Sequence, residues 1–138
     1  MKSIGIEIKN TKAIFFAIEK DGDDYTILNE NYKYLELADD TDNDEIRRFT
    51  SAVHSFFDTI SADRIAIIKR NPNAKGKYAV SCLSFKVEGL IQTYASREVE
   101  FVTSLKVSGY FKKNTLPFNT KYDYQVGAAK LSYFLCND

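Results

Sequence analysis

Apolar and polar residues alternate from the start of the chain. Ile4, Ile6 and Ile8 fall on one face of an extended segment and Gly5, Glu7 and Lys9 on the other, because successive side chains of a strand point to opposite faces. Lys9-Asn10-Thr11-Lys12 reads as a hairpin turn, since Asn tolerates the left-handed backbone that short hairpins need. The run Ala13 to Ile18, AIFFAI, is too short for a helix and fits a strand covered on both faces. After the turn KDGDD, Lys20 to Asp24, the strand pattern resumes from Tyr25 to Leu37, which predicts a three-stranded antiparallel meander. Gly5 marks a place where another backbone or a ligand could come close.

Asp39-Asp40-Thr41-Asp42 offers several N-caps, and Ile46, Phe49, Val53, Phe56, Phe57 and Ile60 then recur at helical spacing, predicting an amphipathic helix packed on the sheet. DRIAIIKR, Asp63 to Arg70, is a fourth strand, and the crossover rule makes it a parallel neighbour of the first. Val80 to Ala95 reads as a second helix, with Gly89 as a point of close contact with the sheet. VEFVT, Val99 to Thr103, is a short strand; a brief helix capped by Ser104 runs from Leu105 to Lys112, and a last helix spans Tyr122 to Leu135 with Asp123 in its first turn.

A length of 138 residues and a hydrophobic fraction of 44% suit one globular domain, residues 1–138, with a core that needs no disulfide or metal. No basic segment leads into an apolar run near the N-terminus, and no stretch approaches a membrane span, so a cytoplasmic location and no membrane partner are expected. Cys82 and Cys136 lie far apart with His54 as the single histidine; the pattern predicts two reduced, partly buried thiols, a structural histidine and no zinc site. The net charge is zero but uneven: residues 1–62 carry 7 Lys/Arg against 13 Asp/Glu, and residues 63–138 carry 12 against 6. Such asymmetry suits a polar partner surface or two opposed faces that meet in self-association. Lys69, Arg70, Lys75 and Lys77 cluster around Asn71-Pro72-Asn73 and Gly76. They read either as contacts for a phosphate backbone or as a solvated loop, without the spacing of a Walker loop.

SIGIEIK with AIFFAIE, then RIAIIKR, SFKVEGLIQTYA, VEFVTSLKVSGYFKK and YDYQVGAAKLSYFL together resemble the RNase H-like superfamily, in its Holliday-junction-resolvase-like branch. The chain is also similar to an uncharacterised bacterial domain family of about this length. The resemblance implies an RNase H-like α/β fold whose five-stranded mixed sheet, flanked by helices, has its first three strands antiparallel and its fourth and fifth parallel to the first. It further implies acids on the first strand, at the end of the fourth and in the last helix, where converging carboxylates hold hard divalent cations that activate water. Glu7 matches the first position and Asp123 the last. The fourth strand departs from the pattern with Lys69 or Arg70, and a turn beyond Asp123 stand Val126 and Gly127 in place of a second acid.

That departure disfavours an enzyme, because replacing a carboxylate by an ammonium opposes a dication by several kcal/mol at short range. The candidate remnant site is Glu7, Lys69 and Asp123, with Lys69 or Arg70 expected to pair with one of the two acids. The alternative reading leaves Glu7 in solvent and Asp123 serving the helix dipole; Glu88 is a further acid whose position suits the surface or a salt bridge. Three functions follow. The first is a degenerate nucleic-acid-binding module using Lys69, Arg70, Lys75, Lys77, Lys112 and Lys113 for phosphates and Tyr78 and Tyr110 for stacking. The second is a regulatory or protein-interaction module acting as a homodimer. The third is a residual nuclease, the one case in which Mg²⁺ or Mn²⁺ is expected, at Glu7 and Asp123; otherwise no cofactor is.

Overall fold

A computed structural model describes residues 1–29, 33–70, 73 and 81–138. Its elements in chain order are β1 (Lys2–Lys9), β2 (Lys12–Asp21), β3 (Asp24–Ile27), β4 (Tyr34–Glu36), α1 (Asn43–Ile60), β5 (Arg64–Lys69), α2 (Cys82–Ile91), β6 (Val99–Thr103), α3 (Ser104–Phe111), a 3-10 turn (Asp123–Gln125) and α4 (Val126–Asn137). The sheet runs β3-β2-β1-β5-β6, with β4 also on β2. β2 is antiparallel to β1, β3 and β4 are antiparallel to β2, β5 is parallel to β1, and β6 is parallel to β5. This is the predicted mixed α/β architecture, of RNase H-like type. Asn10, at φ 55°, makes the β1–β2 turn as its left-handed tolerance predicts.

The predicted third strand is two pieces, so the sheet has six strands rather than five. Neither piece reaches the middle of β2: β3 pairs with Ile18 to Asp21 and β4 with Lys12 to Ile14. The buried Asn29 fills this gap with its side chain. Its Oδ1 accepts from the Ala17 N–H at 3.1 Å and its Nδ2 donates to the Phe15 carbonyl at 2.9 Å. A side-chain amide carries the same donor and acceptor as a peptide group, so Asn29 satisfies β2 where the strand departs.

Strict alternation along β1 and β2 divides the molecule into two layers. Ile4, Ile6, Ile8, Ala13, Phe15 and Ala17 are buried against α1 and α2, with the Phe15 ring 5.0 Å from that of Phe56. Ile14, Phe16 and Ile18 are buried on the other side against α4, so AIFFAI is covered on both faces. Asp42 caps α1, its carboxylate accepting from the Asp44 N–H. His54 is a half-buried structural residue, with Nε2 3.1 Å from Thr93 Oγ1 and its ring against Tyr94. Three expectations need correction. Cys82 is exposed rather than partly buried, because it is the first residue of α2, turned away from the core residues Ser84, Val87 and Ile91. Gly89 faces open space rather than the sheet, since Val87 and Ile91 supply the buried face. Thr103 rather than Ser104 caps α3, its hydroxyl accepting from the Lys106 N–H. Among the described residues no helix is long and apolar enough to cross a membrane.

Gly5 sets how closely α4 sits on the sheet. A Cβ there would lie 2.3 Å from the Ala128 carbonyl oxygen and 2.6 Å from the Ser132 nitrogen, far inside van der Waals contact. Two residues earlier, the buried Ser3 hydroxyl donates to the Ser132 carbonyl at 2.7 Å. Gly5→Ala is therefore expected to cost about 3 kcal/mol of stability, the upper part of the range for overpacking, because both blocking atoms are backbone. Asn29→Leu is expected to cost about 3 kcal/mol by leaving the Phe15 carbonyl and Ala17 N–H unsatisfied. Urea unfolding of both variants measures these losses; a change below about 1 kcal/mol in either contradicts its assigned role.

Candidate functional site

Glu7 continues the face of β1 that carries Ser3 and Gly5, so its side chain lies on the α4 side of the sheet. It reaches the first turn of α4, where a Cβ built on Gly127 would be 2.5 to 2.8 Å from its carboxylate atoms. The carboxylate suits that place, because the start of a helix presents the positive end of its dipole. Its ion partner is Lys9 at 3.5 Å, the next residue on the same face. Position 127 thus points directly at Glu7 yet has no side chain to offer.

Lys69, the cation expected in the remnant site, is not gathered there. Ile65 and Ile67 are buried in the α1–α2 layer and Ala66 in the α4 layer. Lys69 follows Ile67 by two residues and shares its face, opposite to Glu7. It lies with Arg70, Phe85, Glu88, Gln92 and Phe101 around a cleft beside α2. Burial raises the Glu88 carboxyl above its ordinary value, while Arg70 and Lys69 act against that rise. Arg70 keeps Nε and Nη2 buried without a hydrogen-bond partner among the described residues. Glu88, the acid weighed as a substitute ligand, therefore belongs with these cations and not with Glu7. Asp123 is exposed and lines a cleft with Phe111, Asn114 and Lys130, toward α3. Among the described residues no ion pair joins Lys69 or Arg70 to either acid.

Hard divalent cations need several oxygen ligands. Among the described residues no three His, Cys, Asp or Glu side chains converge to hold a metal ion, and the carboxylate at the expected position has an ammonium beside it. These residues do not fit the two-ion centre that the family resemblance implies.

The basic residues expected to bind phosphate are likewise separated. Lys69 and Arg70 stand beside α2, while the exposed Lys112 and Lys113 follow α3, which packs on α4 across the sheet. Lys75, Lys77 and Tyr78 lie outside the described residues. The Tyr110 ring packs against Phe111, Tyr133 and Phe134, and burial raises its hydroxyl pKa.

A different basic and aromatic group forms next to Glu7. Lys9, Lys12, Ile14, Tyr34, Glu36 and Tyr124 help line a cleft of about 410 Å³ between the β1–β2 turn, β4 and the 3-10 turn before α4. Lys12 Nζ sits 4.7 Å from the Tyr34 ring centre. Tyr34 meets Tyr124 edge-on at 6.0 Å, and Tyr124 stacks on Tyr122 at 5.3 Å with planes 8° apart. Lys33 and Lys121 approach the Tyr122 ring at 4.8 and 5.6 Å. Hydrogen bonding to Lys33, joined by the charge of Lys121, draws the Tyr122 hydroxyl below its usual pKa, against the opposing effect of burial. The four lysines and three tyrosines come from three separate stretches, Lys9 to Lys12, Lys33-Tyr34 and Lys121 to Tyr124, so in sequence only the local neighbours Lys33-Tyr34 and KYDY hinted at the cluster.

Residues 1–135 match the profile of a family described as "Protein of unknown function (DUF3010)". No curated protein sequence matches the chain significantly. Among solved structures, that of Thermus thermophilus RuvC is similar with a TM-score of 0.75 at 10% identity, covering 96% of this chain and 91% of that one. T. thermophilus RuvC in complex with Holliday junction substrate gives 0.73 at 10% identity, covering 96% and 90%. At that identity the likeness is one of fold.

The contrast between Gly5 and Gly127 gives a test of the geometry. A methyl on Gly127 meets the far end of a flexible side chain rather than backbone, and Ala favours a helix over Gly by about 1 kcal/mol. Gly127→Ala is expected to change stability by less than about 1 kcal/mol, with Glu7 displaced. A loss comparable to that of Gly5→Ala in the same urea series means that Glu7 is fixed in place.

Proposed function

The chain belongs to the DUF3010 family, and we propose that it is a catalytically degenerate, resolvase-like domain that binds nucleic acid without metal-dependent cleavage. One observation carries the reading: the α4 position that faces Glu7 is Gly127, so the helix offers no carboxylate where it meets the β1 acid. A phosphate-cleaving metal centre neutralises charge on the scissile group with ions held by several acids. Glu7 with Lys9 beside it is a poor start for one, although Lys9 is half exposed and its charge is screened.

Loss of the ions does not remove what is needed for binding. Contact with a phosphate backbone requires cations at accessible positions, and the RuvC–Holliday junction complex is a precedent for nucleic acid on this fold. The lysines around the cleft beside Glu7 suit the role better than those on the two sides of the sheet, because they lie along one row of tyrosines.

Two outcomes are expected. Millimolar Mg²⁺ or Mn²⁺ leaves the thermal midpoint unchanged, since a ligand raises stability only by binding the native state, and no cleavage of duplex or branched DNA follows. A metal-induced rise that Glu7→Gln abolishes overturns the degenerate reading. Fluorescence anisotropy with labelled oligonucleotides should show binding at low salt. With about four phosphate contacts, affinity falls on the order of a hundred-fold between about 50 and 200 mM salt. Absence of binding at the lower salt removes the nucleic-acid reading.

A further inference from the structure

Resting on that nucleic-acid reading, we propose that the cleft beside Glu7 takes an unpaired nucleobase against Tyr34 and Tyr124, with Lys9, Lys12, Lys33 and Lys121 on the flanking phosphates, so that its ligand is single-stranded nucleic acid. The volume of about 410 Å³ falls in the range of clefts that enclose a small ligand. It admits a base and its sugar but not a duplex. Ring faces become available for stacking only where bases are unpaired, and any base can use them because each has a π-face.

The placement of charge favours a base over a free anion. Lys12 stands over the Tyr34 ring at 4.7 Å, and Lys33 and Lys121 flank Tyr122 at the other end of the tyrosine row. Cations therefore sit at both ends with aromatic surface between them, which is the alternation that a sugar–phosphate chain with bases presents. Glu36, in the lining with Lys9 and Lys12, can accept a hydrogen bond from a base amine, a contact that a free anion does not offer. Tyr34 is 37% exposed, so its ring has surface left for a ligand.

Anisotropy titration of the full chain at low salt tests this with a labelled mixed-sequence strand of about 20 nucleotides, longer than the ~4–16 that one such groove covers, and with its blunt duplex. The single strand is expected to bind more tightly than the duplex. Tyr34→Leu should weaken single-strand binding about thirty-fold, the middle of the range for losing one stacked base, while duplex binding stays unchanged. Intrinsic tyrosine fluorescence of the unaltered protein should be quenched by the single strand, a readout independent of any variant. Equal affinity for both forms overturns the inference while leaving nucleic-acid binding intact. A single-strand preference that Tyr34→Leu does not touch overturns its location. If neither oligonucleotide binds, the broader reading fails as well.

Discussion

The contact of α4 with β1 at Gly5 is the constraint from which the candidate site follows. Without a side chain at that position, the backbone of Ala128 and Ser132 rests almost directly on the strand. Helix and strand are then joined by the buried Ser3–Ser132 hydrogen bonds and the facing pair Glu7 and Gly127. A small residue at one point of a strand thus fixes the height of a helix along several of its turns. Had Gly5 a Cβ, α4 would lift, and the first-strand carboxylate would no longer meet the start of the helix.

This closeness also shows why the acid positions of the fold are coupled. With α4 pressed onto β1, any side chain at 127 would have to share the space that the Glu7 carboxylate occupies. Two carboxylates that close are tolerated where cations lie between them; without cations each raises the other's pKa and costs stability. Gly127 lets the longer Glu7 side chain settle at the helix N-terminus, with Lys9 supplying local charge. Gly127 and the lysine at the end of β5 are two departures from the acid pattern that the resemblance implies, and the closeness of α4 to β1 couples the first of them to Glu7.

Much of the fold was legible because period-two alternation is a local property. Ile4, Ile6 and Ile8 opposite Gly5 and Glu7, the two-faced run AIFFAI and the apolar RIAIIKR gave the sheet, and the helix between them implied the parallel crossover. The break in the third strand was not legible, since its cause is one amide, Asn29, replacing a ladder rung on a distant residue. Lys69 is more instructive. The alternation Ile65, Ile67, Lys69 already places it with the core face of its strand. Which helix layer that face meets, and that Glu7 faces the other, depends on the register of β5 with β1. The basic residues near 70 are neighbours in sequence, while the tyrosines and lysines beside Glu7 meet only through tertiary packing.

Position in the fold connects these two regions of chemistry. Lys9 ends β1, Lys12 begins β2, Tyr34 pairs with Ile14 on β2, and Tyr124 stands in the turn that leads into α4. All adjoin the end of β1 where Glu7 meets Gly127. Phosphoryl chemistry depends on a few oxygen ligands held in register, and loss of one can end it. Binding is distributed over cations and ring faces that contribute separately, so it outlasts the loss of any single acid. The cleft of lysines and tyrosines thus adjoins the place where Glu7 meets α4, and its cations and ring faces are held by the same close packing.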